Sequence, residues 1–342
     1  MKQIHILEHT TEAQINVSDE RILFNRRKIR PFFVIVRKEI TDHLRSWRFI
    51  VLAILTILTC FASLYTGLKG MAQPVRETAI EDDFFFLRIF TATDGTLPPF
   101  TVFISFLGPL LGLGLGFDAI NSEQNRGTLT RLLAQPIPRD YVLTAKFTAA
   151  LIVITAMFTS LCLLIMGFGL FRVGIPPTPE EFCRVLCFVL LSSCYVAFWL
   201  NLAILFSIKF RQPATAALCG IAVWLFFTIF YQIIVNIVAK ASEPGRMASQ
   251  QQIIHYQEFI ANLLRIVPSQ LYSEATTTLL VPAVRSIGPL AMEQVHGAIP
   301  SALPLGQSLL VVWPQITGMV AATAICFAIA YNAFMRKEIR SR

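Results

Sequence analysis

The sequence predicts an all-α integral membrane protein with six transmembrane helices, and three observations predict it. Of the 342 residues 55% are hydrophobic and 15% charged, against roughly a quarter charged in an ordinary soluble domain. The apolar residues fall into six runs, each long enough, at about 1.5 Å per residue, to cross a hydrocarbon core of about 30 Å. Lys and Arg crowd at alternate ends of those runs, as orientation signals do.

Taken in chain order, residues 1–30 form a polar, loosely ordered tail. Its HILEH run (5–9) matches a zinc-protease pattern. It has no convincing third ligand, so it is set aside as chance and no metal site is assigned. Pro31 suits a first helical turn. Phe33, Val36, Ile40, Leu44 and Trp47 then recur on one face, with Arg37, Lys38, Asp42 and Arg45 opposite. That spacing predicts an amphipathic elbow helix over 31–46, lying along the cytoplasmic leaflet before the chain turns into the bilayer.

The six-span domain occupies 47–342, with spans at about 47–68, 99–119, 142–171, 181–208, 213–239 and 309–335. The first apolar run follows a long polar tail, so it reads as an anchor rather than a cleaved leader. IPPTPEE (175–181) forces a tight turn between the third and fourth spans. The 240–308 loop carries QQIIHYQEFIANLLRIV (251–267), where Ile253, Tyr256, Ile260, Leu263 and Val267 line one face. This predicts a surface helix that Pro268 ends, followed by an irregular Pro- and Gly-rich stretch over 281–306.

One set of inter-span segments holds 20 Lys and Arg and the other 9. The richer side is expected in the cytoplasm, which makes a multi-pass plasma or inner membrane protein with both termini inside and the 240–308 loop outside.

The basic residues gather at span ends rather than on one soluble face, so the net charge of +8 does not indicate nucleic acid. Seven cysteines lie within or beside apolar runs and read as small packing residues. No P-loop pattern occurs, which argues against ATP binding by that route. Intramembrane catalysis lacks paired acids, a Ser/His pair or HExxH in the spans. The deep parts of the spans also carry no ionisable residue, which weakens a proton- or ion-coupled carrier. Sodium sites built from carbonyls would escape that argument. The reading is therefore not an enzyme, and energy for work is expected from another chain.

GLGLG (112–116) has no preceding strand, so it is a poor dinucleotide loop. Gly108, Gly112 and Gly116 instead make a stripe of small residues at i, i+4 and i+8. Such a stripe admits close helix packing, either inside one subunit or between two.

FDAINSEQNRGTLTRLLAQPIPRDY (117–141) is a polar interruption between the second and third spans. Asn121 or Ser122 suits a helix cap, Leu129, Leu132 and Leu133 form an i, i+3, i+4 patch, and Pro136 and Pro138 end the helix. An exposed Leu patch ringed by Glu123, Arg126 and Arg131 fits a docking knob. It fits equally an amphipathic helix resting on lipid headgroups.

The run D-x-I-x-x-E-x-x-x-G-T-L-x-x-L-L-x-x-P-I-x-R, from Asp118 to Arg139, resembles the signature of type-2 ABC exporter permeases. The likeness is nearest to the six-span subgroup of NosY- and NatB-type permeases. R-K-E-I-x-D-H-L-R-S (37–46) resembles that family's elbow helix, and P-S-Q-L-Y-x-E-A (268–275) a segment of its outer loop. The resemblance implies a homodimer, or a pairing with a paralogous permease, bound to two separate ATPase subunits that hold ATP and Mg. It implies that the helix at 122–134 is the coupling helix, with Glu123, Gly127, Thr128, Leu129, Leu132 and Leu133 forming the contact. It implies that the Gly108/Gly112/Gly116 face lies near the pathway or dimer seam.

The leading expectation is thus the membrane subunit of an ATP-driven exporter, its Phe-rich spans fitting an apolar cargo and lipid contact equally. The alternative is an ATPase-linked or independent scaffold that acts on extracytoplasmic proteins through the 240–308 loop. A third, a stand-alone carrier, would move solute without a partner.

Overall fold

The computed structural model describes residues 31–72, 84–135, 137–174, 176–245, 249–284 and 302–337. The 1–30 tail with its HILEH run, and most of the irregular 281–306 stretch, lie outside them. The described residues are helical with no strand among them. Helix α1 (Pro31–Arg45) leads through Ser46 into α2 (Trp47–Ala72). Then come α3 (Phe85–Thr91), α4 (Phe100–Gly116), the short pair α5 (Asn121–Asn125) and α6 (Thr128–Leu133), α7 (Arg139–Val173) and α8 (Pro179–Lys209). Helix α9 (Pro213–Leu225) continues through a π turn, Phe226–Phe230, into α10 (Tyr231–Ala241). Helices α11 (Gln250–Leu264), α12 (Pro268–Leu280) and α13 (Leu305–Met335) complete the order.

Six helical stretches are long and apolar enough to cross a membrane: Trp47–Lys69, Phe100–Asn125, Arg139–Phe171, Pro179–Lys209, Pro213–Ala241 and Leu305–Met335. These are the six spans of the sequence reading, with ends displaced by a few residues. Both described ends, the 117–138 connection and the 210–212 turn lie on one face of the bundle, here the near face. The 92–99 connection and the described parts of the 174–178 and 242–304 connections lie on the far face.

Helix α8 is the centre of the bundle, with 67% of its apolar window buried, against 17% for the fifth span and 22% for the last. It begins with a full capping box, in which the Thr178 hydroxyl accepts from the Glu181 N–H while the Glu181 carboxylate accepts from Thr178 N–H. The glycine stripe settles against it. A Cβ on Gly112 would stand 2.8 Å from both Val196 O and Leu200 N, and one on Gly116 2.8 Å from Leu200 O. Only glycine lets the α4 and α8 backbones approach this closely. Of the two packing roles the stripe allowed, it serves packing inside one subunit.

The far face holds two elements that sequence spacing did not indicate. Helix α3 buries Phe86, Leu87, Ile89 and Phe90, and Phe86 N–H donates to Glu181 Oε1 at 2.9 Å. Helix α12 is no surface segment: Tyr272, Ala275, Thr276 and Leu279 are buried in the core, and the Tyr272 and Tyr195 rings stack at 4.5 Å. Fully buried Arg184 joins these parts, donating to Glu180, Leu279 O, Leu303 O and Ser308 Oγ. A buried guanidinium persists only when so fully bonded.

Candidate coupling site on the near face

The predicted helix at 122–134 is two short helices. Gly127 stands between them at φ 70° with open space around its Cβ position. The left-handed conformation, rather than crowding, is what requires glycine there. Neither Asn121 nor Ser122 caps the first turn: Asn121 Nδ2 bonds to Phe117 O and Ser122 Oγ to Asp118 O. The cap comes from α8, whose Ser207 hydroxyl accepts from Ile120 N–H at 2.9 Å and Asn121 N–H at 3.2 Å. Local spacing cannot show a cap supplied from 87 residues away.

The expected exposed Leu patch is corrected too. Leu129 is 1% exposed and packs in the main core with Ile120, Val142 and Leu143. Leu132 is half-buried against the same cluster. The side chain of Leu133 and the whole of Pro136 lie outside the described residues. What the pair α5–α6 shows outward is polar: Arg126, Thr128, Arg131 and Gln135 are exposed, and neither arginine forms an ion pair among the described residues. The leucines anchor the turn, and the arginines are its accessible side.

Glu123 points inward, into a cluster absent from the sequence expectations. Lys146 Nζ, two turns into the third span, lies 2.8 Å from Glu123 Oε1 and 3.0 Å from Glu39 Oε2. Lys38 completes the ring, 2.8 Å from Glu39 Oε1 and 3.4 Å from Glu123 Oε1. Lys146 and Glu39 are both nearly sealed from solvent. Burial by itself raises the Glu39 carboxyl, but Lys146 and then Lys38 outweigh it and hold the group below its ordinary value. Neighbouring His43 is pushed below the ordinary imidazole value, first by burial, so it is neutral at pH 7. A cleft of about 610 Å³ opens beside these groups toward Arg126 and Arg131. Within it Glu123 Oε2 has no hydrogen-bond partner among the described residues.

This ring fixes the elbow helix as well. The predicted face of α1 divides into two adjacent strips. Ile35, Val36 and Glu39 are buried against α7, with Ile40 at the border, whereas Phe33, Leu44 and Trp47 are exposed. One strip is held by protein and the other is exposed. At the other side of the turn, Arg48 Nη2 meets Asp118 Oδ2 at 2.6 Å and its guanidinium lies over the Phe117 ring. Asn125 Nδ2 donates to Arg211 O at 3.0 Å. The connection is thus tied to α1, α2, α7 and the end of α8 at once, and a push on it reaches four helices.

A family model for ABC-2 family transporter proteins matches residues 33–339, from the elbow helix to the end of the last span. The chain belongs to the ABC-2 transporter family. Among curated relatives, the probable ABC transporter permease protein NosY of Pseudomonas aeruginosa is 24% identical over 316 residues, 90% of this chain and 98% of that protein. Its namesake in Stutzerimonas stutzeri is 27% identical over 216 residues, 61% of this chain and 71% of the relative. This ABC-2 protein is therefore a multi-pass inner membrane permease subunit of an ABC transporter, a component that associates with an ABC ATPase. Permease subunits of such transporters are their non-catalytic transmembrane components.

Proposed function

We propose that this permease is the membrane half of an ATP-driven exporter, that the ATPase seats on α5–α6, and that ATP and Mg are held by the ATPase alone. The observation that carries the reading is the near-face connection itself. It is fixed to α1, α2, α7 and α8 by charge pairs and hydrogen bonds, yet it presents Arg126, Thr128, Arg131 and Gln135 to a partner. Rigid attachment on the inside with a polar rim outside suits transmission, because displacement is passed on rather than absorbed. The near face is cytoplasmic in this reading, in keeping with its excess of Lys and Arg.

The permease acts in pairs, with a second copy or a paralogue. The fifth and last spans are buried for only 17% and 22% of their apolar windows, which leaves broad apolar faces for lipid and a partner permease. The pathway runs between the two halves. One observation favours the scaffold reading: α12, a part of the 240–308 loop, is built into the core, so spans and loop move together.

Purification from native membranes in a mild detergent tests the proposal. The chain is expected to bring with it a P-loop ATPase in equal amount, and by itself to move no solute in liposomes. A chain that leaves the membrane without any ATPase and sustains flux unaided would contradict it.

A further inference from the structure

A second cavity, of about 310 Å³, opens near the far face between α4, the π turn and α12. Its lining side chains recur at helical spacing on each element: Thr101 and Ser105 on α4, Thr228 and Gln232 across the π turn, Ser269 and Ser273 on α12. By the rise of a helix, Ser105 and Gln232 lie about 8 and 14 Å inside their span ends, at depths where a polar group must find a partner.

Several hydroxyls elsewhere in the spans are satisfied locally. Thr159, Ser160, Ser193 and Thr323 each donate to the carbonyl four residues earlier, at 2.7–2.8 Å. Around the cavity Tyr272, Thr276 and Thr277 are likewise bonded within the protein, but the six side chains named above make no side-chain bond among the described residues. The π turn, Phe226–Phe230, contains neither Pro nor Gly to force it. Such turns gather at functional sites, and this one sits where Thr228 joins the lining.

The chemistry narrows the occupant. No charged side chain lines the cavity, so an ion or ionic headgroup would enter unpaired. A purely apolar molecule would strand six hydrogen-bonding groups. Trp224, set edge-on to Phe106 at 5.0 Å, adds an aromatic wall beside Tyr272. The C–H face of a sugar ring suits the negative face of such a ring while its hydroxyls reach the polar side chains. The volume is at the lower end for small-ligand sites, which run about 300–1,000 Å³.

We infer that this cavity binds an uncharged, hydroxyl-rich headgroup, a glycosyl or polyol group, either free or carried on a lipid. As a cargo subsite it rests on the transport reading above, but its binding test needs no ATPase. A failure here therefore leaves the docking claim standing, and the reverse holds too.

The chain, purified in a detergent without a sugar headgroup and placed in phosphatidylcholine nanodiscs, is exposed to monoglucosyl diacylglycerol, to phosphatidylglycerol or to glucose. Bound molecules are counted by native mass spectrometry. Saturable retention of the glucosyl lipid is expected, at least about tenfold weaker in the Thr101→Val/Gln232→Leu variant, as the loss of two hydrogen bonds implies. Ser269→Ala/Ser273→Ala gives the same readout from the opposite wall should the first variant not fold. Glucose binding as tightly as the lipid supports the site with a soluble source. Glucose failing where the lipid binds supports a membrane source. No glucosyl-lipid or glucose retention, retention unchanged in both variants, or phosphatidylglycerol held equally well would overturn the inference.

Discussion

Lys146→Met is expected to lower the stability of the bundle by about 3–5 kcal/mol, the range for removing one partner of a buried ion pair. The loss is large because Lys146 serves two carboxylates at once, Glu39 at 3.0 Å and Glu123 at 2.8 Å, and a methionine leaves them only Lys38 as a cationic partner. The pH dependence supplies a second signature. In the native chain the folded Glu39 value is below its unfolded value near 4.5. Its contribution is therefore full above about pH 4.5 and is lost as pH falls through the folded value. Without Lys146 only Lys38 still opposes burial, so the folded value rises toward the unfolded one. The loss of stability in acid is therefore smaller in the variant than in the native chain. Melting in detergent from pH 4 to 8 reads both effects. Glu39→Gln added to Lys146→Met is expected to recover part of the loss. An unchanged melting temperature in the single variant would remove the ring from the account.

The second large effect is at Gly112. Valine there would drive its Cβ to 2.8 Å from Val196 O and Leu200 N, which are backbone atoms of α8 and cannot swing aside as a side chain can. Overpacking typically costs about 1–3 kcal/mol; here two helix backbones must part along the Gly108–Gly116 seam, and folded protein is expected to be lost from the membrane. Gly167→Ala in α7, where a new Cβ meets nothing within 4 Å, is the matched control and should accumulate like the native chain. Equal membrane levels of Gly112→Val and Gly167→Ala would show that the α4–α8 contact is looser than described.

The six spans were legible because length and hydropathy alone decide them, and lipid tolerates few alternatives. The polar connection at 117–138 was legible as an element, because charge between two apolar runs needs no tertiary information. Its facing was not. Leu129, Leu132 and Leu133 look like an exposed patch when only their own turn is considered, but the αL break at Gly127 and the α8 hydroxyl of Ser207 turn Leu129 into the core. Glu39 and Lys146 were missed for a related reason. Each sits in an ordinary-looking place, one on an amphipathic helix and one near a span end, and each is explained only by a partner 107 residues distant. One local clue existed: Glu39 interrupts the apolar strip of Ile35, Val36 and Ile40, where a carboxylate needs a reason. Helix α12 was hidden by composition, since its Ser- and Thr-rich sequence reads as loop until Tyr272 and Leu279 are seen to fill the core.

The central claim, that an ATPase is received on the exposed side of α5–α6, is tested most directly by reversing the charge there. Arg126 and Arg131 are exposed and hold no ion pair among the described residues, so Arg126→Glu/Arg131→Glu should leave melting unchanged. Like-charge juxtaposition across an interface costs several kcal/mol. Co-purification of the ATPase with the variant is therefore expected to fall at least about a hundredfold. Undiminished ATPase retention by the folded variant would contradict the account.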